Sequence, residues 1–199
     1  MDLDRIAPEA VAGVRILPVL HDRVDLAGVV RLVLAELDPA AVAVELPTTL
    51  AEAVRKAVAR LPRLSAVISE EPGEEALVWV TAPGDPMVEA LRWAVENDRE
   101  TFLVDPDLPY HERHHESFPD PHSIHELGPG PFVDVIRRLA RDQPHGQADK
   151  LRERGMAHHL QEAARHLGGS LLAVVGAAHA DAVARALTGA TAPPLARQR

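Results

Sequence analysis

Four ionisable side chains stand where apolar runs end. His21 follows "VRILPVL" (14–20), and Glu45 lies near the end of "AVAVEL" (41–46). Asp105 closes "TFLV" (101–104), and His179 comes just after "SLLAVVG" (170–176). Two imidazoles and two carboxylates can hold a divalent metal, or divide into a general base and the group that orients it. Each also has a plain structural reading. A carboxylate at a strand end can cap the next helix, as Glu45 could for the amides after Pro47, and a histidine there can simply be hydrogen-bonded. A glutamate inside so apolar a run is nevertheless costly without a partner.

These residues meet only if the runs are parallel strands, because ligands of open α/β sheets bind outside the strands' carboxyl ends. Apolar runs do alternate with helical patterns, which predicts an α/β fold with a mostly parallel central sheet flanked by helices. Asp25 is expected to cap a helix carrying Leu26, Val29, Val30, Val33 and Leu37 inward. Thr49 and Glu52 fit a capping box for the helix with Leu50, Val54, Val58 and Leu61. "LSAVIS" (64–69) and "ALVWVT" (76–81) flank a Pro-Gly turn and read as an antiparallel hairpin or edge. Asp85-Pro86 reads as N-cap and N1 of the next helix. Residues 106–131 read as a long irregular His/Pro-rich loop, with "GPGP" (128–131) a turn and a short helix following. In the helix 148–167, Met156, Leu160, Ala163, Ala164 and Leu167 mark the buried side. Arg154 is placed to turn into the site, with a solvated charge as the alternative. His158, His159 and His166 read as surface residues. The 199 residues are read as one domain, with 190–199 a flexible tail.

Five of the eleven histidines crowd between Tyr110 and His125, and His111-Glu112-Arg113-His114-His115 spells H-E-x-x-H. A zinc-protease motif needs both histidines on one face of a regular helix. Here Pro109 precedes the motif, Phe118-Pro119 follows it, and no apolar stripe accompanies it. A loop lying over the carboxyl edge is the expected arrangement. In it His111, His114 or His115 would supply a ligand, a proton shuttle or a substrate contact; the alternative is a solvated loop. Arg92 and Asp105 join them as expected substrate contacts.

Composition narrows the chemistry. There are no cysteines, so thiolate nucleophiles and Cys-ligated metals are excluded. The formal charge of −9 argues against nucleic acid or an anionic membrane as partner. No apolar run is long enough to span a bilayer, and the acidic start "MDLDRIAPEA" lacks a leader's features. A cytoplasmic location is therefore expected. No G-x-S-x-G, P-loop or G-x-G-x-x-G occurs.

Several stretches together resemble the TraB/PrgY group, related to the TIKI proteases and the erythromycin-esterase/ChaN-like superfamily. They are "RERGMAHHLQEA", "LLAVVGAAHADAVARAL" with Gly176-Ala177-Ala178-His179 as G-x-x-H, "LPVLH", "AVAVELP" and "VEALRWAVENDRETFLVDPD". Two positions depart from the family pattern. Pro18 stands where the first motif has glycine, and Gly155 stands where Asn or Asp follows the arginine. The resemblance implies His21, Glu45, Arg154 and His179 as the functional set, with His21, Glu45 and His179 as ligands of Zn, Mn or Fe. The expected activity is metal-dependent hydrolysis of an ester or amide bond in a small-molecule or peptide substrate. The alternatives are a non-enzymatic metal-, haem- or peptide-binding protein using the same cleft, or a scaffold subunit. A homodimer is compatible with each.

Overall fold

The computed structural model describes residues 2–70, 76–108, 119–141 and 143–194. In chain order, α1 (Leu3–Ile6) leads to β1 (Glu9–Val11), β2 (Val14–Val19) and α2 (Val24–Leu37). β3 (Ala41–Pro47), a 3-10 turn (Thr48–Leu50) and α3 (Ala51–Val58) follow. Then come β4 (Ala66–Ser69), β5 (Leu77–Val80), α4 (Pro86–Glu96) and β6 (Glu100–Asp105). The chain continues through α5 (Ser123–Leu127), α6 (Pro129–Arg141), α7 (Gln147–His166), β7 (Leu171–Gly176) and α8 (Ala177–Leu187).

The main sheet has five strands in the order β1-β2-β7-β3-β6. β2, β7, β3 and β6 are mutually parallel, and β1 pairs antiparallel with β2. Strand alternation divides the core into two layers. Leu17, Val19, Val42, Val44, Leu172 and Val174 pack under α2, α3, α4 and α6. Val14, Ile16, Ala41, Ala43, Ala173 and Val175 pack under α7 and α8. β4 and β5 form a separate antiparallel pair, as expected of the 64–81 segment. Its Val67–Trp79 pair faces the first layer, while Ile68, Val78 and Val80 are exposed. Among the described residues no helix is long and apolar enough to cross a membrane.

Local chemistry explains where elements depart from expectation. α2 begins one residue before Asp25, which pairs with Arg23 instead of capping. No capping box opens α3, because the Thr49 hydroxyl donates to the Asp107 carboxylate and Glu52 pairs with Lys56. The 106–131 segment is not irregular throughout, since α5 lies inside it and α6 starts at Pro129. Pro129 and Pro131 both fall in the first turn of α6, where a backbone N–H has no partner to lose. His111, His114, His115 and the H-E-x-x-H stretch lie outside the described residues. Pro18 costs the sheet no hydrogen bond. Ile16 N donates to Pro8 O toward β1 at 3.1 Å, and residue 18 faces the same way, beyond the last β1 pairing.

The α4 start follows the sequence reading. Asp85 Oδ1 accepts from Met87 N at 2.9 Å and Val88 N at 3.0 Å, and Oδ2 accepts from Asp22 N at 3.1 Å. Asp85→Ala removes this buried cap and is expected to cost about 1–2 kcal/mol. Chemical denaturation would measure it, and a loss under about 0.3 kcal/mol would contradict the assignment.

Candidate functional site

The parallel sheet sends four strand ends to one edge, where Glu45, Asp105 and His179 are buried and His21 is exposed. Two devices aim the carboxylates. The β3/β6 register slips between Val44 and Pro47, placing one extra residue of β3 at Glu45-Leu46. Bulges of this kind re-aim side chains at sheet rims. Asp105 Oδ1 accepts from Asp107 N at 3.1 Å, closing a local turn after β6.

The side chain that joins the carboxylates is Arg152, from α7. Its Nε and Nη2 donate to Asp105 Oδ2 at 2.8 and 2.6 Å, and Nη2 lies 2.7 Å from Glu45 Oε1. Nη1 lies 3.0 Å from His179 Nε2. Glu45 Oε2 accepts from Gly176 N at 2.6 Å. Burial would raise the Glu45 carboxyl. The charges of Arg152, His179 and His21 and the Gly176 amide outweigh this and hold it at about 2. Burial likewise opposes the Arg152 cation, but Glu45 and Asp105 raise its pKa further.

Arg154, the arginine expected here, is exposed on another side of α7. Residues two apart on a helix point in nearly opposite directions, so 152 and 154 cannot share a partner. The face toward β6 is 152, 155, 156 and 159. Arg152 meets Asp105, His159 Nδ1 lies 2.8 Å from Val104 O, and Gly155 abuts Pro106. His159 is thus an anchor of α7 to β6, not a surface residue. A Cβ on Gly155 would fall 2.7 Å from Pro106 Cγ. The glycine therefore lets α7 come close enough for Arg152 to reach Asp105. Gly155→Ala is expected to push α7 outward and cost about 1–3 kcal/mol, read as a lowered urea midpoint. An unchanged midpoint would refute that close approach.

Glu153 faces α8. Its Oε1 lies 3.1 Å from His179 Nδ1 and 2.5 Å from His145 Nδ1. The two rings meet edge-on with centroids 5.9 Å apart. α8 begins at Ala177, so His179 sits in its first turn and not in a loop. Burial disfavours the His179 imidazolium, but the Glu153 hydrogen bond and the Glu45 charge outweigh it, so the pKa is raised. In the neutral ring Nδ1–H donates to Glu153 and Nε2 accepts from Arg152. Protonation turns Nε2 into a donor, with Glu45 Oε1 3.9 Å away as its counter-charge.

His145, Glu153 and His179 present ligand atoms that all lie within 4.8 Å of one another, so this group could hold a metal ion. It shares only His179 with the expected triad of His21, Glu45 and His179. Arg152 occupies the Glu45 oxygen that faces His179. His21 stands at the outer rim, where its Nε2 and Glu45 Oε2 would lie 3.4 and 3.0 Å from a Cβ on Gly176. Arg92 is not brought to this edge. It pairs with Glu89 at 3.0 Å and Glu96 at 3.5 Å along α4, on the opposite face of the sheet.

Comparison with protein-family models, curated proteins and solved structures finds no match.

Proposed function

We propose that the protein is a metal-assisted hydrolase of ester or amide bonds, peptide-like ones included, working at the carboxyl edge of the sheet. The convergence of His145, Glu153 and His179, two imidazole nitrogens around one carboxylate oxygen, carries the reading. A tetrahedral zinc ion with bonds of about 2.1 Å needs donors roughly 3.4 Å apart. The 3.1 Å and 2.5 Å contacts to Glu153 Oε1 meet this if His145 recedes by under ~1 Å. The donor set of nitrogen and carboxylate oxygen suits Zn, Mn or Fe. Such an ion supplies an acidified water and polarises the scissile carbonyl. The chain's own groups do the rest. With Nδ1 on the metal the His179 proton would sit on Nε2, and Glu45 Oε1, 3.9 Å away, is the carboxylate toward which it would turn as an outer partner. His21 stands exposed beside Glu45 at the mouth of the site. The resemblance to the TraB/PrgY group points to the same class of reaction.

One observation favours a second reading, a metal-binding protein without turnover. Arg152 is engaged by Asp105, Glu45 and His179, so it is committed and not offered to a developing oxyanion. Zinc titration followed by elemental analysis, with ester and peptide turnover, separates the two. One equivalent of metal is expected, lost in His145→Ala and His179→Ala, with turnover lost in Glu153→Gln. Metal retained by all three variants would sink the site. Metal bound without turnover of any ester or peptide would leave the binding reading.

A further inference from the structure

A cleft of about 360 Å³ opens between α6, α7 and α8, with His145 and Glu153 in its wall. Alanines at 140, 177, 178, 182 and 186 leave the space that larger side chains would fill. Around it stand Arg141, Lys150, Arg154 and Arg185, contributed by all three helices. Lys150 and Arg154 are four residues apart and share one face of α7. Arg141 is neutralised by Asp181 at 2.6 Å. Among the described residues, no ion pair or side-chain hydrogen bond engages Lys150, Arg154 or Arg185. Four cations against the two carboxylates Glu153 and Asp181 leave the cleft lining net positive, on a chain of net charge −9.

We infer that this cleft binds a small anion, a carboxylate- or phosphate-bearing compound, through Lys150, Arg154 and Arg185. The volume suits a small molecule and not a macromolecule. Guanidinium groups match the oxygen pairs of carboxylate and phosphate. The first turn of α8, which has no side-chain cap, presents Ala177 and Ala178 to the same space and adds the positive end of a helix. Combined with the hydrolase reading, on which only this last step rests, the cleft selects substrates whose anionic group lies near the scissile bond. It also assigns Arg154 a role, since the residue turned away from Glu45 faces the cleft.

The test titrates inorganic phosphate and succinate, with glycerol as neutral control, into chelator-treated protein by calorimetry at low salt. Binding of phosphate, succinate or both is expected, weakening as sodium chloride is raised. The stronger binder names the anion class. Affinity should fall about tenfold or more in the triple variant Lys150→Gln/Arg154→Gln/Arg185→Gln and stay unchanged in Arg60→Gln, an exposed cation elsewhere. The three side chains are exposed, so their loss does not threaten the fold. No binding of either anion, or equal binding by the triple variant, overturns the inference. Anion binding by the stripped protein, with no ester or peptide turnover once zinc is restored, would count against the hydrolase reading and leave the cleft intact.

Discussion

Replacing Arg152 by methionine is expected to destabilise the protein by about 3–5 kcal/mol, far more than any other arginine substitution at this edge. The guanidinium lies between two buried carboxylates, 2.7 Å from Glu45 Oε1 and 2.6 Å from Asp105 Oδ2. Removing it leaves two uncompensated anions where water does not reach, and a buried pair broken from one side costs more than the intact pair contributes. The Glu45 carboxyl should rise from about 2 toward and beyond its usual range, because burial, which raises it, loses its strongest opponent. Arg152→Lys keeps the charge but cannot contact Asp105 and Glu45 in one plane, so it should recover only part of the loss. Arg154→Ala, at an exposed position, should fall within about 0.5 kcal/mol of the parent. Urea unfolding of the three variants at neutral pH measures this ordering. Equal midpoints for the 152 and 154 variants would show that Arg152 does not hold the edge together.

The frame of the site was legible because strand ends are marked by composition. "AVAVEL" and "SLLAVVG" are too apolar for anything but buried strands, and the residues after them had to gather once the strands ran parallel. Helical phase separates Arg152 from Arg154. The apolar positions 156, 160 and 163 already placed 152 and 153 on the buried side and 154 off it, so the signal was present in the spacing. Glu153 could have been found the same way. His145 could not, because it sits in the turn before α7 and its partner lies eight residues on, with no periodicity connecting them. Gly155 and Pro18 look like lost functional groups in sequence. In the fold, Gly155 is demanded by Pro106, and the missing N–H of Pro18 lies on the β1 side, beyond the last β1 pairing. A linear pattern cannot show either, because both depend on what packs across the sheet edge.

Acid should destabilise the metal-free protein through Glu45 as pH falls below about 4.5. Glu45 is held at about 2 in the folded chain against 4.5 as an unperturbed group, so it binds fewer protons folded than unfolded in that interval. Its contribution is therefore present above pH 4.5 and is lost as pH falls toward 2, an effect of about 3 kcal/mol. His179 works in the opposite sense. Its folded pKa is raised above 6.5, so its contribution is complete below pH 6.5 and is lost as pH rises through the folded value. The two overlap between about pH 4.5 and 6.5, and stability of chelator-treated protein should peak there. Protein unfolded by urea at intervals from pH 3 to 9 should trace this maximum. Glu45→Gln should flatten the acid limb and reduce the alkaline one without abolishing it, since Gln cannot titrate and His179 loses the Glu45 charge while keeping its bond to Glu153. An acid limb as steep in Glu45→Gln as in the parent would mean that the proton lost on folding belongs elsewhere, and that Glu45 is not the buried anion around which Arg152, His179 and Gly176 are arranged.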